Sequence, residues 1–420
     1  MRFRGARPTM VVVGVIIAAN GIAVAAASFT LLRLLGVTEF GITSTAIILG
    51  NSMAALVSAA PTQSLYTLIG RTPDRSADRF GRILRRDALM LSAAALVVGA
   101  AAWPIAPAIG RVAVESTCLV LAVAIAGFHT EAIRLMSSSR VAAGWNLARS
   151  VSAWAAAVVA ALVMPRSELV VAAYALATLT VALLTARHQR RLQSRGDVTD
   201  RGADKFGQLG VSRMIALPAI ASSYLLTFAD RFYVVEILGK NSLGLYSFAY
   251  QLGEGALTLA FLPVTFVATV PIVAQWVQGG AQRRRAINLS ILGSGAVVGV
   301  SIVFDVGVLI LSHTTLWGRV LGQHGTNASE IARVASIVAP GVGLAGLTRI
   351  PAAVLTRLGR AKTYTKISGS VLIAALVATA PATKYGGLTG CAMVTAVAYL
   401  LIFVLAWTAC LRSATLDDHA

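Results

Sequence analysis

The chain has 420 residues, of which 57 % are hydrophobic and only 13 % charged. A soluble domain carries about 25 % charged residues. Too few polar side chains remain here to coat a water-facing surface, so a soluble, disordered or disulfide-built protein is excluded. The net charge of +19 comes from 36 basic and 17 acidic residues. It does not mark a nucleic-acid binder, because the basic residues cluster in the loops between apolar runs. The composition predicts an all-α, polytopic membrane protein.

A membrane helix needs roughly 20 mainly apolar residues. Twelve such runs are read, at 10–32, 42–68, 88–109, 114–133, 141–164, 168–186, 214–238, 243–275, 287–312, 331–354, 367–382 and 388–411. The first is too long for a cleaved signal, and no small-residue cleavage site leads into a soluble domain. With the N-terminus inside, the inner segments carry 26 Lys and Arg and the outer loops six. That excess predicts cytoplasmic termini. Trp103 and Trp317 fall near outer span ends, and Trp145 and Trp276 near inner ends, as interfacial belts require.

The polar segment 187–213 is expected to link two six-helix lobes, 1–186 and 214–412, with 413–420 as a cytoplasmic tail. The lobes look related. Leu34-Leu35-Gly36-Val37-Thr38-Glu39-Phe40-Gly41 is similar to Ile237-Leu238-Gly239-Lys240-Asn241-Ser242-Leu243-Gly244, at an offset of 203. Pro61 falls one position from the equivalent of Pro263. An even number of spans per lobe makes the repeat parallel, a plan that encloses a central cavity opening alternately to each side.

Enzyme and cofactor motifs are missing. The sequence has no P-loop, no Gly-x-Ser-x-Gly elbow and no His-Glu-x-x-His pair. The five His are scattered, so no metal or cofactor is expected. Cys118, Cys391 and Cys410 lack metal-type or paired spacing and read as small apolar helix residues. The outer loops are short, which counts against a glycan polymerase or ligase. Asn327-Ala328-Ser329 fits a glycosylation sequon, a pattern of little information.

Five segments carry a family resemblance. LLRLLGVTEFG at 31–41 resembles the first outer turn of polysaccharide-export flippases, and ADRFYVVEILGKNSLGLYSFAY at 229–250 their seventh span. LPVTFVATVPIVAQW at 262–276 resembles the end of their eighth span. AVLTRLGRAK at 353–362 and YGGLTGC at 385–391 resemble the turns around their eleventh. The chain thus resembles the O-antigen and polysaccharide flippases of the multidrug, oligosaccharidyl-lipid and polysaccharide exporter superfamily. The resemblance implies two six-helix lobes forming a V in a bacterial cytoplasmic membrane. It implies transfer of an oligosaccharide on undecaprenyl pyrophosphate from the inner to the outer leaflet. Two lobes in one chain permit a working monomer. Membrane lipids, a polysaccharide polymerase and glycosyltransferases are the partners the resemblance offers. Fourteen spans would mark the lipid II branch; twelve are counted here.

Two other readings stay open. Asp78-Arg79-Phe80-Gly81-Arg82 resembles the loop between spans two and three of the major facilitator superfamily, but Asp74 replaces its first Gly and Ile83 its last Arg. An ion-coupled small-molecule or multidrug antiporter is therefore the alternative. A scaffold or integral enzyme of glycan assembly is a third.

Ionisable side chains at mid-bilayer cost about 2.5–3.5 kcal/mol on insertion scales and usually face a cavity or a partner. Arg149 lies about 12 Å into span five and is expected to grip a pyrophosphate through its planar fork; the rival reading is an Arg snorkelling to the inner headgroups. Arg33, Arg231 and Arg349 are the further substrate-binding candidates. Asp230 and Arg231 adjoin in span seven, and helix neighbours point about 100° apart, so they are expected to be poor partners for each other. Glu254, about 16 Å into span eight, is the leading ion-coupling carboxylate. Its neighbours Gly253 and Gly255 are expected to expose backbone and loosen the helix. Asp230 and Asp305 are the other coupling candidates. Pro61, Pro263 and Pro271 can kink their helices.

Overall fold

The computed structural model describes residues 7–71, 93, 112–136, 139–194, 217–312, 314 and 328–417. Span three, the loop holding Asp78–Arg82, Trp103, Trp317 and most of the segment 187–213 lie outside them. Among the described residues the regular structure is helical throughout. The chain divides into two compact units, Met1–Leu217 and Pro218–Ala420.

Unit 1 contains α1 (Arg7–Arg71), α2 (Ala113–Met136), α3 (Ser139–Val163) and α4 (Ser167–Ser194). Helix α1 covers spans one and two and bends at Gly36, whose φ of +74° and ψ of 169° only glycine adopts freely. Val120, Ala124, Phe128 and Ala132 recur every fourth residue along α2 and bury one stripe against Ala54 of α1. Trp154 of α3 meets Tyr174 of α4 edge-on, with ring centroids 5.3 Å apart. The N-terminus of α4 is capped from another helix: Oε2 of Glu39 accepts the Ser167 backbone N–H at 3.2 Å. Helix α4 runs past 186 to Ser194, because Arg187, Arg190 and Arg191 favour helix and sit in the water-facing last turns.

Unit 2 contains α5 (Leu217–Leu238), α6 (Lys240–Gln278), α7 (Gly280–Ser312), α8 (Ala328–Leu347), α9 (Arg349–Arg357) and α10 (Ala361–Asp417). Helix α6 packs against α7, α8 and α9, and α10 against α8 and α9. The expected tenth span, 331–354, lies within one membrane-length run, Ala328–Arg357, interrupted only at Thr348, which keeps helical φ/ψ. Pro351 has no N–H for the carbonyl of Leu347, so one bond of the ladder is lost between α8 and α9 while the bonds from Thr348 to Leu344 and from Ala352 to Thr348 carry the run through. Helix α10 covers spans eleven and twelve with a reversal at Gly387: a methyl group at Gly390 would collide with the Ala382 carbonyl oxygen, although a straight helix would hold these residues about 12 Å apart.

The outward faces are apolar. Leu162, Val163, Leu176, Ile291, Leu292, Val303 and Val377 are all more than half exposed. Such surface on a water-soluble monomer would be an aggregation liability. Here it belongs to helices long and apolar enough to cross a membrane, of which the described residues form seven. The chain is a multi-pass membrane protein.

Candidate functional site

A buried polar cluster lies inside unit 2, where α5, α6 and α10 meet. Its placement follows from hairpin arithmetic. Asp230 precedes the Gly239 turn by nine residues and Tyr246 follows it by seven, so both sit at similar depth. The Tyr246 hydroxyl donates to Oδ2 of Asp230 at 2.6 Å. Thr395 of α10 donates to the same oxygen at 3.4 Å. Oδ1 of Asp230 accepts the backbone N–H of Arg231 at 2.8 Å. The Cys391 thiol donates to the Asp230 carbonyl at 3.6 Å.

Arg231 is fully buried within this cluster. Its Nη1 lies 3.5 Å from Oδ1 of Asp230, a long ion pair. Its guanidinium carbon stands 4.3 Å from the Tyr250 ring centroid and 5.9 Å from that of Tyr246. The two adjacent charges therefore do meet, against the expectation from helix geometry. The Arg stem is long enough to curl back, and two aromatic faces hold the guanidinium where it arrives. In a low-dielectric interior both charges are thereby compensated. The spacing of Tyr246 and Tyr250, one helical turn apart and level with Asp230 across the hairpin, was the sequence signal for this cage.

Glu254 continues the same line, one turn beyond Tyr250. It is exposed, and it lies within electrostatic reach of Arg231. Its orientation is fixed by its neighbour. A Cβ on Gly253 would stand 3.1 Å from the Ala335 carbonyl oxygen and 3.2 Å from the Ala339 nitrogen. Gly253 is thus a packing contact that brings the backbones of α6 and α8 together, instead of a loosened point in the helix. Leu257, on the same stripe, is also buried. Glu254, about 100° away around the helix, is turned off the α8 contact.

The remaining candidates stand apart. Asp305 on α7 is half-buried, and its Oδ1 has no hydrogen-bond partner among the described residues. Arg349 is exposed at the start of α9, and Arg33 is exposed on α1 just before the Gly36 bend. Arg149 of α3 is half-buried. Its Nη2 and Nε donate to the Asn146 side-chain oxygen at 3.0 and 3.4 Å. That partner is neutral, so the cationic charge of Arg149 is not cancelled by it. Unit 1 also holds a part-buried His129–Gln189 contact at 2.5 Å, between α2 and α4, which sequence reading did not single out. Among the described residues no three His, Cys, Asp or Glu side chains converge as metal ligands would.

No protein-family model matches the chain. No curated protein matches it either. Solved structures do. A mutant of the Vibrio cholerae MATE transporter VcmN matches with a TM-score of 0.64 and 12 % identity, over 96 % of each chain. The MATE multidrug transporter DinF-BH matches at 0.57 and 14 %, over 97 % of this chain and 94 % of that one. The lipid II flippase MurJ, in an inward closed conformation, matches at 0.55 and 11 %, over 94 % and 85 %. The fold is therefore the all-helical one these membrane proteins share.

Proposed function

We propose that the protein is a flippase that carries a lipid-linked oligosaccharide, on an undecaprenyl pyrophosphate anchor, across the bacterial cytoplasmic membrane for surface polysaccharide synthesis. The observation that carries this reading is Arg149: a guanidinium well inside a membrane helix, half-open, paired with an amide instead of a carboxylate. Such a group has its charge to offer to an anion, and its planar fork matches phosphate oxygens. In unit 2 the acid Asp230 is saturated by its own hydroxyl and N–H donors, which leaves it little capacity for a cationic cargo. Pyrophosphate and sugars would be held by unit 1 while the lipid tail stays in the bilayer. The segments resembling polysaccharide flippases support the same reading. Deleting the gene tests it: lipid-linked intermediate should accumulate while surface polymer is lost, and the gene should restore both.

A second reading has its own observation. Glu254 is an exposed carboxylate on a membrane helix, which is the equipment of an ion-coupled antiporter for cationic compounds. On this reading the deletion strain becomes sensitive to such compounds, and its surface polysaccharide is unchanged.

A further inference from the structure

Helix α3 of unit 1 has two faces that its 3.6-residue period keeps apart. Val151, Ala155 and Val159 are exposed along one of them. Ala142, Ser150, Ala153 and Ala157 are buried along the other. Asn146 belongs to the buried face by register, one turn after Ala142 and one turn before Ser150. It is nevertheless exposed. The packing of unit 1 therefore opens locally at Asn146, on the side of α3 turned away from its apolar surface. Arg149, half-buried, stands at the edge of the same opening.

Asn146 holds Arg149 by one edge. Its side-chain oxygen accepts from Nη2 at 3.0 Å and from Nε at 3.4 Å. The other edge of the fork is formed by Nη1 and the second hydrogen of Nη2. Two parallel donors there match two oxygens of one phosphoryl group. The polar groups around the guanidinium are neutral. Tyr174 of α4 lies within electrostatic reach of Arg149 and is hydrogen-bonded to the Asn51 side chain of α1. The acids among the described residues of unit 1 are placed elsewhere. Glu39 accepts the Ser167 N–H, Glu115 and Glu168 lie in the first turns of α2 and α4, and Glu131 pairs with Arg134.

We propose that Asn146 is the positioning residue of an anion site in unit 1: its amide oxygen fixes one edge of the Arg149 fork without cancelling the charge, so that the other edge receives the pyrophosphate of the cargo. This role rests on the flippase reading and adds to it the residue that makes Arg149 selective for an anion. The position is sensitive to chemistry more than to size. Aspartate would hold the fork but neutralise it in a closed ion pair. Leucine would leave the charge but release the fork. Glutamine, with the same amide on a longer stem, can hold the fork and leave the charge.

The test titrates purified full-length protein in nanodiscs with undecaprenyl pyrophosphate and, as the uncharged control, undecaprenol. The wild type binds the pyrophosphate lipid more tightly, and Arg149→Ala removes that preference. Asn146→Asp weakens binding of the pyrophosphate lipid by about tenfold or more, the scale of a lost charge-assisted bond. Asn146→Leu weakens it by about threefold, the scale of one neutral hydrogen bond. Asn146→Gln keeps most of the wild-type affinity. Binding of undecaprenol is the same in all of them, which a merely structural residue would not give. If Asn146→Asp fails to fold, the other two decide: Asn146→Leu must bind the pyrophosphate lipid more weakly than Asn146→Gln, and equal binding overturns the role. An undiminished preference in folded Asn146→Asp, with the preference lost in Arg149→Ala, overturns the role of Asn146 and leaves the flippase reading standing. Equal weakening by aspartate and leucine does the same. Equal binding of both lipids by the wild type overturns both.

Discussion

The Tyr246 hydroxyl donates a 2.6 Å hydrogen bond to Asp230 across the hairpin that joins α5 to α6. This bond places a phenol ring beside the buried Arg231 of unit 2 and lets a carboxylate and a guanidinium share a membrane-depth interior. The arrangement predicts strong asymmetry in how substitutions act. Asp230→Asn leaves Arg231 buried without its counter-charge and should destabilise unit 2 by about 3–5 kcal/mol. Adding Arg231→Met should recover most of that loss. Thermal unfolding of the single and double variants in detergent measures the difference, and a double variant no better than the single one contradicts the pairing.

Tyr246→Phe is the milder probe. It removes one hydroxyl and keeps the ring, so it should cost about 1.5–3 kcal/mol, because Oδ2 of Asp230 loses a charge-assisted bond and keeps only the long one from Thr395. The same substitution at Tyr250, whose ring face is what Arg231 contacts, should cost less.

Arg149 and Glu254 are the two side chains whose removal should spare folding and damage transport. Arg149→Ala loses a charge-assisted contact of about 1.5–3 kcal/mol with a phosphate, or roughly a tenfold to hundredfold loss in apparent substrate affinity. Arg149→Lys should retain part of it. Membrane protein level, measured by blotting, should be unchanged in both. Full export by a well-expressed Arg149→Ala protein would remove Arg149 from the substrate site.

Glu254→Gln should leave stability within about 0.5 kcal/mol, because the side chain is exposed. Transport in vesicles should lose its dependence on the driving ion gradient. Gradient-driven transport at the wild-type rate would assign coupling elsewhere, with Asp305 the next side chain to test.

The Gly36 and Gly239 bends make a matched pair of predictions. Their backbones take nearly the same conformation, φ/ψ of +74°/169° and +89°/174°, at equivalent places in the repeated segment. Neither has an atom within 4 Å of an added Cβ. Alanine at either position therefore meets only backbone strain, about 1–3 kcal/mol, and the two losses should be alike. A cost at one position alone would mean that the two turns are not equivalent.

This pair also shows what a sequence can disclose. Similar octapeptides pointed to duplicated lobes, and what the structure shows at them is one glycine-only φ/ψ at Gly36 and Gly239. The helices were legible from run length, since lipid removes most other options for the backbone. The lost ladder bond before Pro351 inside the tenth span followed from a local rule that run length conceals. The cage around Arg231 was partly legible, because Tyr246 and Tyr250 lie level with Asp230 across a short hairpin. Thr395 was not, being 165 residues away from Asp230. Gly253 was misread for the same reason: nothing local announces that α8 will approach within a Cβ radius of it.

The central claim is that the cargo is a lipid-linked glycan. The most direct test measures lipid-linked oligosaccharide in the membrane and polysaccharide at the surface of a deletion strain, with and without the restored gene. The account predicts accumulated intermediate and lost surface polymer, both reversed by the wild-type gene and not by Arg149→Ala. Unchanged levels of both, in a strain with no second flippase, would contradict it.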